Sequence, residues 1–413
     1  MHCDLNSYFT SVELLDMPHL RDKPVAVCGN TEERTGIVLA KNDAAKKCGI
    51  ITGEVVVFAV RKCPQLVVLP PHYEKYVEYS KRVKEIYYNY TDLIESFGID
   101  ECWLDLTGSE KLFGSGYEMA VKISREVYTK TGLTVSIGVS YNKVFAKLGS
   151  DMKKPNGITC ITQENFKEKV WDLPASAILG IGEQAAKKLK SKCIGTIGKV
   201  AAENSDNLRR WFGKCGLTMW INANGLDISP VMPVDYVLPV KTIGHGKTTT
   251  KDLINASEAS YMFQNLSLNV GQRLRTANLR AKGVKIAVRD NKMGYREYQM
   301  QLPSTTQSSM VLAEHAKTLM KKKYRWDNPV RALEIRAINL VPAGTPEQLN
   351  FFTDYERQNK LEAIEKTIDA IRHKYGELNR NGSAIINTGT HYRNDLKIVK
   401  DKTADQLPMT MFL

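Results

Sequence analysis

Apolar positions in the first 165 residues follow two spacings, one typical of strands and one typical of helices. Short β-branched runs bounded by Gly or Pro predict strands, and apolar residues three or four positions apart predict helices. The longest helical run extends from Tyr73 to Tyr90, and two apolar strand-like runs flank the acidic pair Asp100 and Glu101. Strands interleaved with helices around such a hairpin predict a ferredoxin-like α+β layer.

The pattern changes after Gln163. Helical periodicity with Gly-bearing turns continues to about Gly225, and residues 227–239 contain three prolines among few charges, which predicts an extended linker. Residues 241–342 mix strands with two helices and predict a second α+β domain. One further helix is predicted from Tyr355 to Tyr375, followed by a polar stretch without a structural signal.

Charge is concentrated in the second α+β domain. The chain of 413 residues carries a net charge of +13, and residues 241–342 hold 18 Lys and Arg against 7 Asp and Glu, an excess of 11. A globular segment this basic is typical of a nucleic-acid-binding surface. A solubilising surface or an anionic-lipid site would give the same composition.

Cysteine and hydropathy patterns exclude several protein classes. The eight cysteines form no CxxC pair and have no His cluster beside them, so we expect neither a zinc site nor a disulfide framework. No apolar run reaches the roughly 18 residues of a membrane span, and no secretory signal is recognisable. These features predict a cytoplasmic protein without a membrane partner.

Three acidic residues are the candidate chemistry. Asp4 ends the first predicted strand, and Asp100 with Glu101 lies on the hairpin, which can pair beside that strand in a small antiparallel sheet. Clustered carboxylates repel each other unless a cation neutralises them, and Mg²⁺ prefers such oxygen ligands together with substrate phosphates. Two ions about 4 Å apart would support an in-line displacement at phosphorus. A solvated turn is the simpler interpretation of Asp-Glu alone.

Three segments in order and spacing resemble the Y-family DNA polymerases over residues 1 to about 345. They are DLNSYFTSVE from Asp4, SFGIDECWLDLTG from Ser96, and TVSIGVSYNKVFAK from Thr134 with KKPNG following. The stretch Lys41–Lys46 resembles the UmuC-like bacterial branch more than the DinB-like branch.

The resemblance implies a right-hand polymerase with a ferredoxin-like palm, small fingers, a helix-hairpin-helix thumb and an α+β little finger. The implied divisions are palm 1–18 and 67–165, fingers 19–66, thumb 166–227, linker 228–240, little finger 241–345 and a C-terminal tail 346–413.

By position, the resemblance also implies roles for single residues. Asp4, Asp100 and Glu101, with the Leu5 carbonyl, would hold two Mg²⁺ ions. Phe9 would be the steric gate that excludes a ribose 2′-OH, although periodicity alone favours an ordinary core aromatic.

Two lysines, Lys46 in the fingers and Lys154 in the palm, would contact the triphosphate of a dNTP; the alternative for each is a plain surface lysine. Asp43 departs from the pattern, because many family members have a Tyr there that helps to hold the triphosphate.

Further segments suggest contacts with DNA and with a sliding clamp. Gly180 and Gly182 belong to a helix-hairpin-helix signature, whose backbone amides can approach a phosphate. The basic domain offers candidate contacts to the duplex backbone: Arg280, Lys282, Lys285, Arg289, Arg331 and Arg336. Residues Gln348, Leu349, Phe351 and Phe352 resemble a bacterial clamp-binding peptide, and residues 406–412 resemble it less well.

The resemblance therefore implies a monomeric, template-directed, low-fidelity DNA polymerase that acts in translesion synthesis and SOS damage tolerance. Its partners would be a primed template, dNTP and the clamp. Two alternatives remain at this point: a palm-bearing nucleotide cyclase, and a non-catalytic DNA-binding scaffold that recruits the clamp.

Overall fold

The computed structural model describes residues 1–31, 34, 36–348 and 354–375. They form two compact units. The first comprises Met1–Gly29 and Ile37–Val237, and the second contains the described residues of Asn30–Gly36 and of the chain from Leu238 onward. None of the helices in these ranges combines the length and apolar character that a bilayer crossing requires.

The first unit is centred on a five-stranded sheet. Its strands are β1 (His2–Leu5), β5 (Ile94–Ser96), β6 (Glu101–Leu104), β7 (Val135–Ser140) and β8 (Ile158–Ile161), in the order β5-β6-β1-β7-β8. The helices of this layer are α1 (Tyr8–Asp16), α4 (Tyr73–Tyr88), α5 (Glu110–Phe113), α6 (Gly116–Thr131) and α7 (Lys143–Met152). Although β1 starts at residue 2, all four of its residues are buried and it is the central strand.

A small three-stranded sheet follows α1 in the chain. It contains β2 (Val25–Cys28), β3 (Val38–Lys41) and β4 (Val67–Leu69), with α2 (Asp43–Lys47) and α3 (Val56–Lys62). The sequence pattern does not predict α3 or β4. The α3 sequence VVFAVRK has no polar face opposite an apolar one, and β4 is only three residues long.

Five short helices complete the first unit: α8 (Phe166–Val170), α9 (Glu183–Lys190), α10 (Ile197–Ala202), α11 (Ser205–Phe212) and α12 (Lys214–Ala223). They surround a separate apolar core that includes Leu189, Val200 and Leu208. The predicted linker then runs along the sheet edge as neither helix nor strand. Met232 N donates to the Glu95 carboxylate at 2.9 Å, and Val234 N donates to the Asp92 carbonyl at 3.0 Å.

The second unit is an antiparallel four-stranded sheet covered on one face by two helices. It contains β9 (Ile243–Leu253), β10 (Leu279–Asp290), β11 (Tyr295–Thr306) and β12 (Val330–Pro342), with α13 (Ala256–Thr276), α14 (Ser309–Lys323) and α15 (Tyr355–Tyr375). The sequence pattern misses β9 because only Ile243, Thr249 and Leu253 of its eleven residues are buried. The α15 bounds agree with the periodicity.

Helix α7 faces the acidic residues, and its position is fixed by close packing on β7. A Cβ at Gly138 would lie 1.9 Å from the Ala146 carbonyl oxygen and 2.6 Å from Ser150 N. We expect Gly138→Ala to destabilise the first unit by about 1–3 kcal/mol, because backbone atoms would have to move. Thermal unfolding followed by circular dichroism measures this. Gly195→Ala is the matched control, since a Cβ there meets no atom within 4 Å; equal melting temperatures for the two variants would contradict the packing argument.

Candidate active site

Strand pairing brings the three acidic residues together. β1 and β6 are antiparallel, and their register places Asp4 directly opposite Glu101. Leu5 N donates to the Asp100 carbonyl at 3.1 Å, so Asp100 lies opposite the following residue of β1. The hairpin differs from the sequence prediction, because β5 ends at Ser96 and Glu101 is the first residue of β6 rather than part of the turn.

Two lysines neutralise this acidic cluster. Lys147 Nζ lies 3.2 Å from Asp4 Oδ2 and 2.9 Å from Glu101 Oε2. Lys154 Nζ lies 2.7 Å from Asp4 Oδ2 and 2.8 Å from Asp151 Oδ1. Lys154, predicted as a triphosphate contact, is therefore bound to an acid of the cluster. Lys147 belongs to a recognised motif, yet its role in the cluster is not predicted, since nothing local in the sequence reveals a partner 143 positions away.

His2 is a further neighbour that the sequence analysis misses. It is fully buried, its Nε2 lies 3.3 Å from Glu101 Oε2, and its Nδ1 lies 2.9 Å from Ser150 Oγ. The Ser150 hydroxyl also donates to the Lys147 carbonyl at 2.7 Å, so Ser150 connects His2 with α7. The period-two alternation of a strand puts His2 on the same face as Asp4, and this signal is present in the sequence.

Burial and mutual repulsion perturb the carboxylates. Burial, together with the charges of Asp4 and Glu101, raises the pKa of Asp100 to about 7. Burial and the Glu101 charge also raise the pKa of Asp4, against the opposing effect of Lys154 and Lys147. Burial would raise the pKa of Glu101 as well, but His2 and Lys147 outweigh it and lower the value to about 2.

The donor set suits a hard divalent cation. Its side chains offer oxygen only, and their repulsion is relieved by positive charge. Among the described residues, no three His, Cys, Asp or Glu side chains already converge on one point as a complete cage. Asp4 and Glu101 face Lys147 and Lys154 instead, so a divalent ion that binds here takes over the charge compensation that these two ammonium groups provide.

The remaining nucleotide-binding candidates lie in the same unit. Phe9 on α1 is half-buried and stacks on Tyr76, with ring centroids 4.2 Å apart. Lys46 on α2 forms an exposed ion pair with Asp43 at 2.8 Å. Its contact is therefore with the residue that departs from the family pattern.

The two glycines predicted to approach a phosphate lie directly before α9. Gly180 has a φ of 94°, which favours glycine, and Gly182 is the N-cap of α9. Both glycines are exposed, so the amides at the start of α9 are accessible from solvent.

The basic candidates of the second unit lie on β10 and β12. The residues of these strands that pack under α13 and α14 include Val284, Ile286, Val288, Leu333 and Ile335. Lys285, Arg289 and Arg336 alternate with them and therefore point to the opposite face. Lys282 is exposed beside a β-bulge of β10.

Arg280 and Arg331 require separate comment. The Arg280 guanidinium makes two hydrogen bonds to Glu362 of α15, at 2.9 and 3.0 Å, and two more to Thr305. It is thus engaged inside the second unit, and its contact with DNA stays a prediction. Arg331 donates to the Arg34 carbonyl at 3.5 Å.

Of the clamp-peptide candidates, Gln348 is exposed. Leu349, Phe351, Phe352 and residues 406–412 lie outside the described residues.

Comparison with known proteins agrees with this architecture. The impB/mucB/samB family matches residues 3–151, and the impB/mucB/samB family C-terminal domain matches residues 240–351. DNA polymerase IV of Acetivibrio thermocellus is 46% identical over 376 residues, which cover 91% of this chain and 94% of the relative. DNA polymerase IV of Clostridium kluyveri is 35% identical over 393 residues, covering 92% and 97%.

The fold has a solved counterpart. The Y-family DNA polymerase chimera Dbh-Dpo4(243-245)-Dbh superposes with a TM-score of 0.72 at 22% identity, covering 83% of this chain and 98% of that one. This likeness confirms the predicted fold class. The relatives fit the DinB-like branch, so the expected closeness to the UmuC-like branch is corrected. The chain belongs to the impB/mucB/samB family, the Y-family DNA polymerases.

Proposed function

We propose that this chain is a template-directed DNA polymerase of low fidelity that acts in translesion synthesis. The relatives named DNA polymerase IV support a DNA-directed DNA polymerase that binds a DNA template and depends on a divalent metal. The observation that carries the proposal is the register of β1 and β6, which sets Asp4 beside Glu101 and Asp100. The reaction joins the primer 3′-oxygen to the α-phosphorus of a dNTP and releases pyrophosphate.

In this proposal Asp4, Asp100 and Glu101, with the Leu5 carbonyl, hold two Mg²⁺ ions. When bound, the ions would lower the pKa of the primer hydroxyl and stabilise the charge that develops on the leaving pyrophosphate. Because the three carboxylates lie on the central sheet, their positions, and those of the ions they would hold, are fixed. His2 lies against the Glu101 carboxylate and is itself held by Ser150 of α7, so it can orient that carboxylate.

Lysines bind the triphosphate. Once Asp4 is neutralised, Lys154 and Lys147 are released from it and can pair with phosphate oxygens. Lys46 is a third contact, and it has to exchange its pair with Asp43 to reach the substrate. Phe9 is the steric gate against a ribose 2′-OH.

DNA contacts are proposed in both units. The amides beside Gly180 and Gly182 bind a backbone phosphate, and the sheet face of the second unit binds the duplex backbone through Lys282, Lys285, Arg289, Arg331 and Arg336. We retain the division into palm, fingers, thumb, linker and little finger given above. A cytoplasmic monomer that docks on the sliding clamp through Gln348, Leu349, Phe351 and Phe352 completes the proposal.

Removing two charges from the cluster tests the catalytic assignment. We expect Asp100→Asn with Glu101→Gln to lower the rate of single-nucleotide insertion by at least about 10³-fold, because the metal ligands lose their charge. Gel analysis of primer extension with dNTP and Mg²⁺ measures the rate. Glu110→Gln, an exposed acid on α5, is the control and should leave it unchanged. Insertion by the double variant within tenfold of wild type would refute the assignment.

The proposed role of His2 in orienting Glu101 can be tested through the Mg²⁺ requirement of the reaction. We expect His2→Ala to raise the Mg²⁺ concentration for half-maximal insertion by about tenfold, since loss of a group that orients a metal ligand typically weakens metal binding by this factor. A Mg²⁺ titration of insertion rate measures it. Ser150→Ala removes the hydrogen-bond partner of His2 Nδ1 and should shift the midpoint less. An unshifted midpoint in both variants would show that His2 only fills space.

The salt dependence of DNA binding tests the sheet face of the second unit. We expect Lys282→Gln with Lys285→Gln to reduce the slope of log affinity against log salt by about 2, one unit for each lost phosphate contact. Fluorescence anisotropy with a labelled primer-template measures the slope. Lys321→Gln on α14, which packs on the other face of the sheet, should not change it. Equal slopes for all proteins would argue against this surface.

A further inference from the structure

A buried carboxylate on α1 has no part in the metal cluster. Glu13 is 2% exposed, and its Oε1 accepts a hydrogen bond from the Tyr76 hydroxyl at 2.5 Å. Its two oxygens lie 2.9 and 3.1 Å from His72 Nδ1. A buried carboxylate is costly unless it is hydrogen-bonded, so these partners and Glu13 hold one another in place.

Tyr76 on α4 is fixed at both ends. Its hydroxyl donates to Glu13 and accepts from the His72 backbone N–H at 3.1 Å, while its carbonyl accepts from the Tyr8 hydroxyl at 2.5 Å. The residue is fully buried. Burial and the Glu13 carboxylate raise the pKa of Tyr76, so the phenol keeps the proton that it donates.

The fixed tyrosine ring supports Phe9. The two rings are stacked at an interplanar angle of 11° with centroids 4.2 Å apart, and Tyr73 meets Phe9 edge-on at 5.9 Å. Phe9 and Glu13 are four residues apart on α1, so one helix face carries both the aromatic ring and the carboxylate that anchors its partner.

We propose that Glu13 and Tyr76 are specificity-determining positioning residues, which hold the Phe9 ring where it excludes the 2′-OH of a ribonucleotide. The inference rests on the proposed function of Phe9 as steric gate. Deoxyribonucleotides and ribonucleotides differ by one oxygen at that position, so a ring displaced by about 1 Å would admit both. The Tyr76 hydroxyl connects the two residues: its hydrogen bond to Glu13 fixes the Tyr76 ring, and the Phe9 ring stacks on that ring.

The test is the ratio of kcat/KM for dNTP to that for the matching rNTP in single-nucleotide insertion on a primed template. We expect Glu13→Ala and Tyr76→Phe each to lower the ratio roughly tenfold, mainly through faster rNTP insertion. Both variants delete the same hydrogen bond, so the double variant should be no worse than either one. Glu13→Gln keeps an acceptor for the tyrosine and should restore most of the ratio.

The palm offers a matched control pair. The Tyr90 hydroxyl donates to Glu126 at 2.8 Å, and the Tyr90 ring packs on Phe113 with centroids 4.9 Å apart. This pair has the same chemistry without contact to Phe9. Tyr90→Phe and Glu126→Ala should therefore leave the ratio unchanged; a fall equal to that of the Glu13 variant would overturn the inference as a general effect of palm destabilisation.

Phe9→Ala separates the remaining outcomes. If Phe9→Ala collapses the ratio while Glu13→Ala and Tyr76→Phe stay within twofold of wild type, the positioning inference alone is overturned. An unchanged ratio in Phe9→Ala overturns the steric gate and the inference with it. Failure of the wild type to extend any primer overturns the proposed function itself.

Discussion

The pairing of β1 with β6 is the constraint on which the rest of the candidate site depends. It is a backbone interaction between the central strand and its neighbour, and its register alone decides that Asp4 faces Glu101 and that Asp100 follows beside Leu5. A slip of one residue would turn Asp4 to the other face of the sheet. Burial of β1 on both faces favours this register, because a slip would move His2 and Asp4 into the apolar core that holds Cys3 and Leu5.

Placing three carboxylates close together is electrostatically unfavourable, and neighbouring lysines offset part of the repulsion. Burial, together with the repulsion between neighbouring carboxylates, raises the pKa values of Asp4 and Asp100. Lys147 and Lys154 offset this repulsion through ion pairs from α7 and the turn that follows it. Because Gly138 lets α7 approach β7 closely, the packing of one helix on the sheet determines where these cations lie. The packing of α7 in the core therefore also sets the charge balance of the acidic cluster.

Features that depend on local sequence could be predicted, whereas contacts between residues far apart in the chain could not. The helices Tyr73–Tyr88 and Tyr355–Tyr375, the acidic trio and the basic second domain follow from periodicity, spacing and charge. Contacts between distant positions do not, since no local pattern records that Lys154 meets Asp4 or that Glu362 engages Arg280. Strand β9 escapes prediction for a related reason: most of its side chains are not buried, so its alternation carries little hydrophobic signal.

We propose that the β1–β6 register builds a divalent-metal site for templated nucleotide insertion. The most direct test is insertion of each of the four dNTPs opposite each of the four template bases, with Mg²⁺ present and with the metal removed by chelation. We expect the complementary nucleotide to be inserted preferentially opposite each base, and chelation to abolish insertion. Extension that ignores the template base, or that persists without a divalent ion, would contradict it.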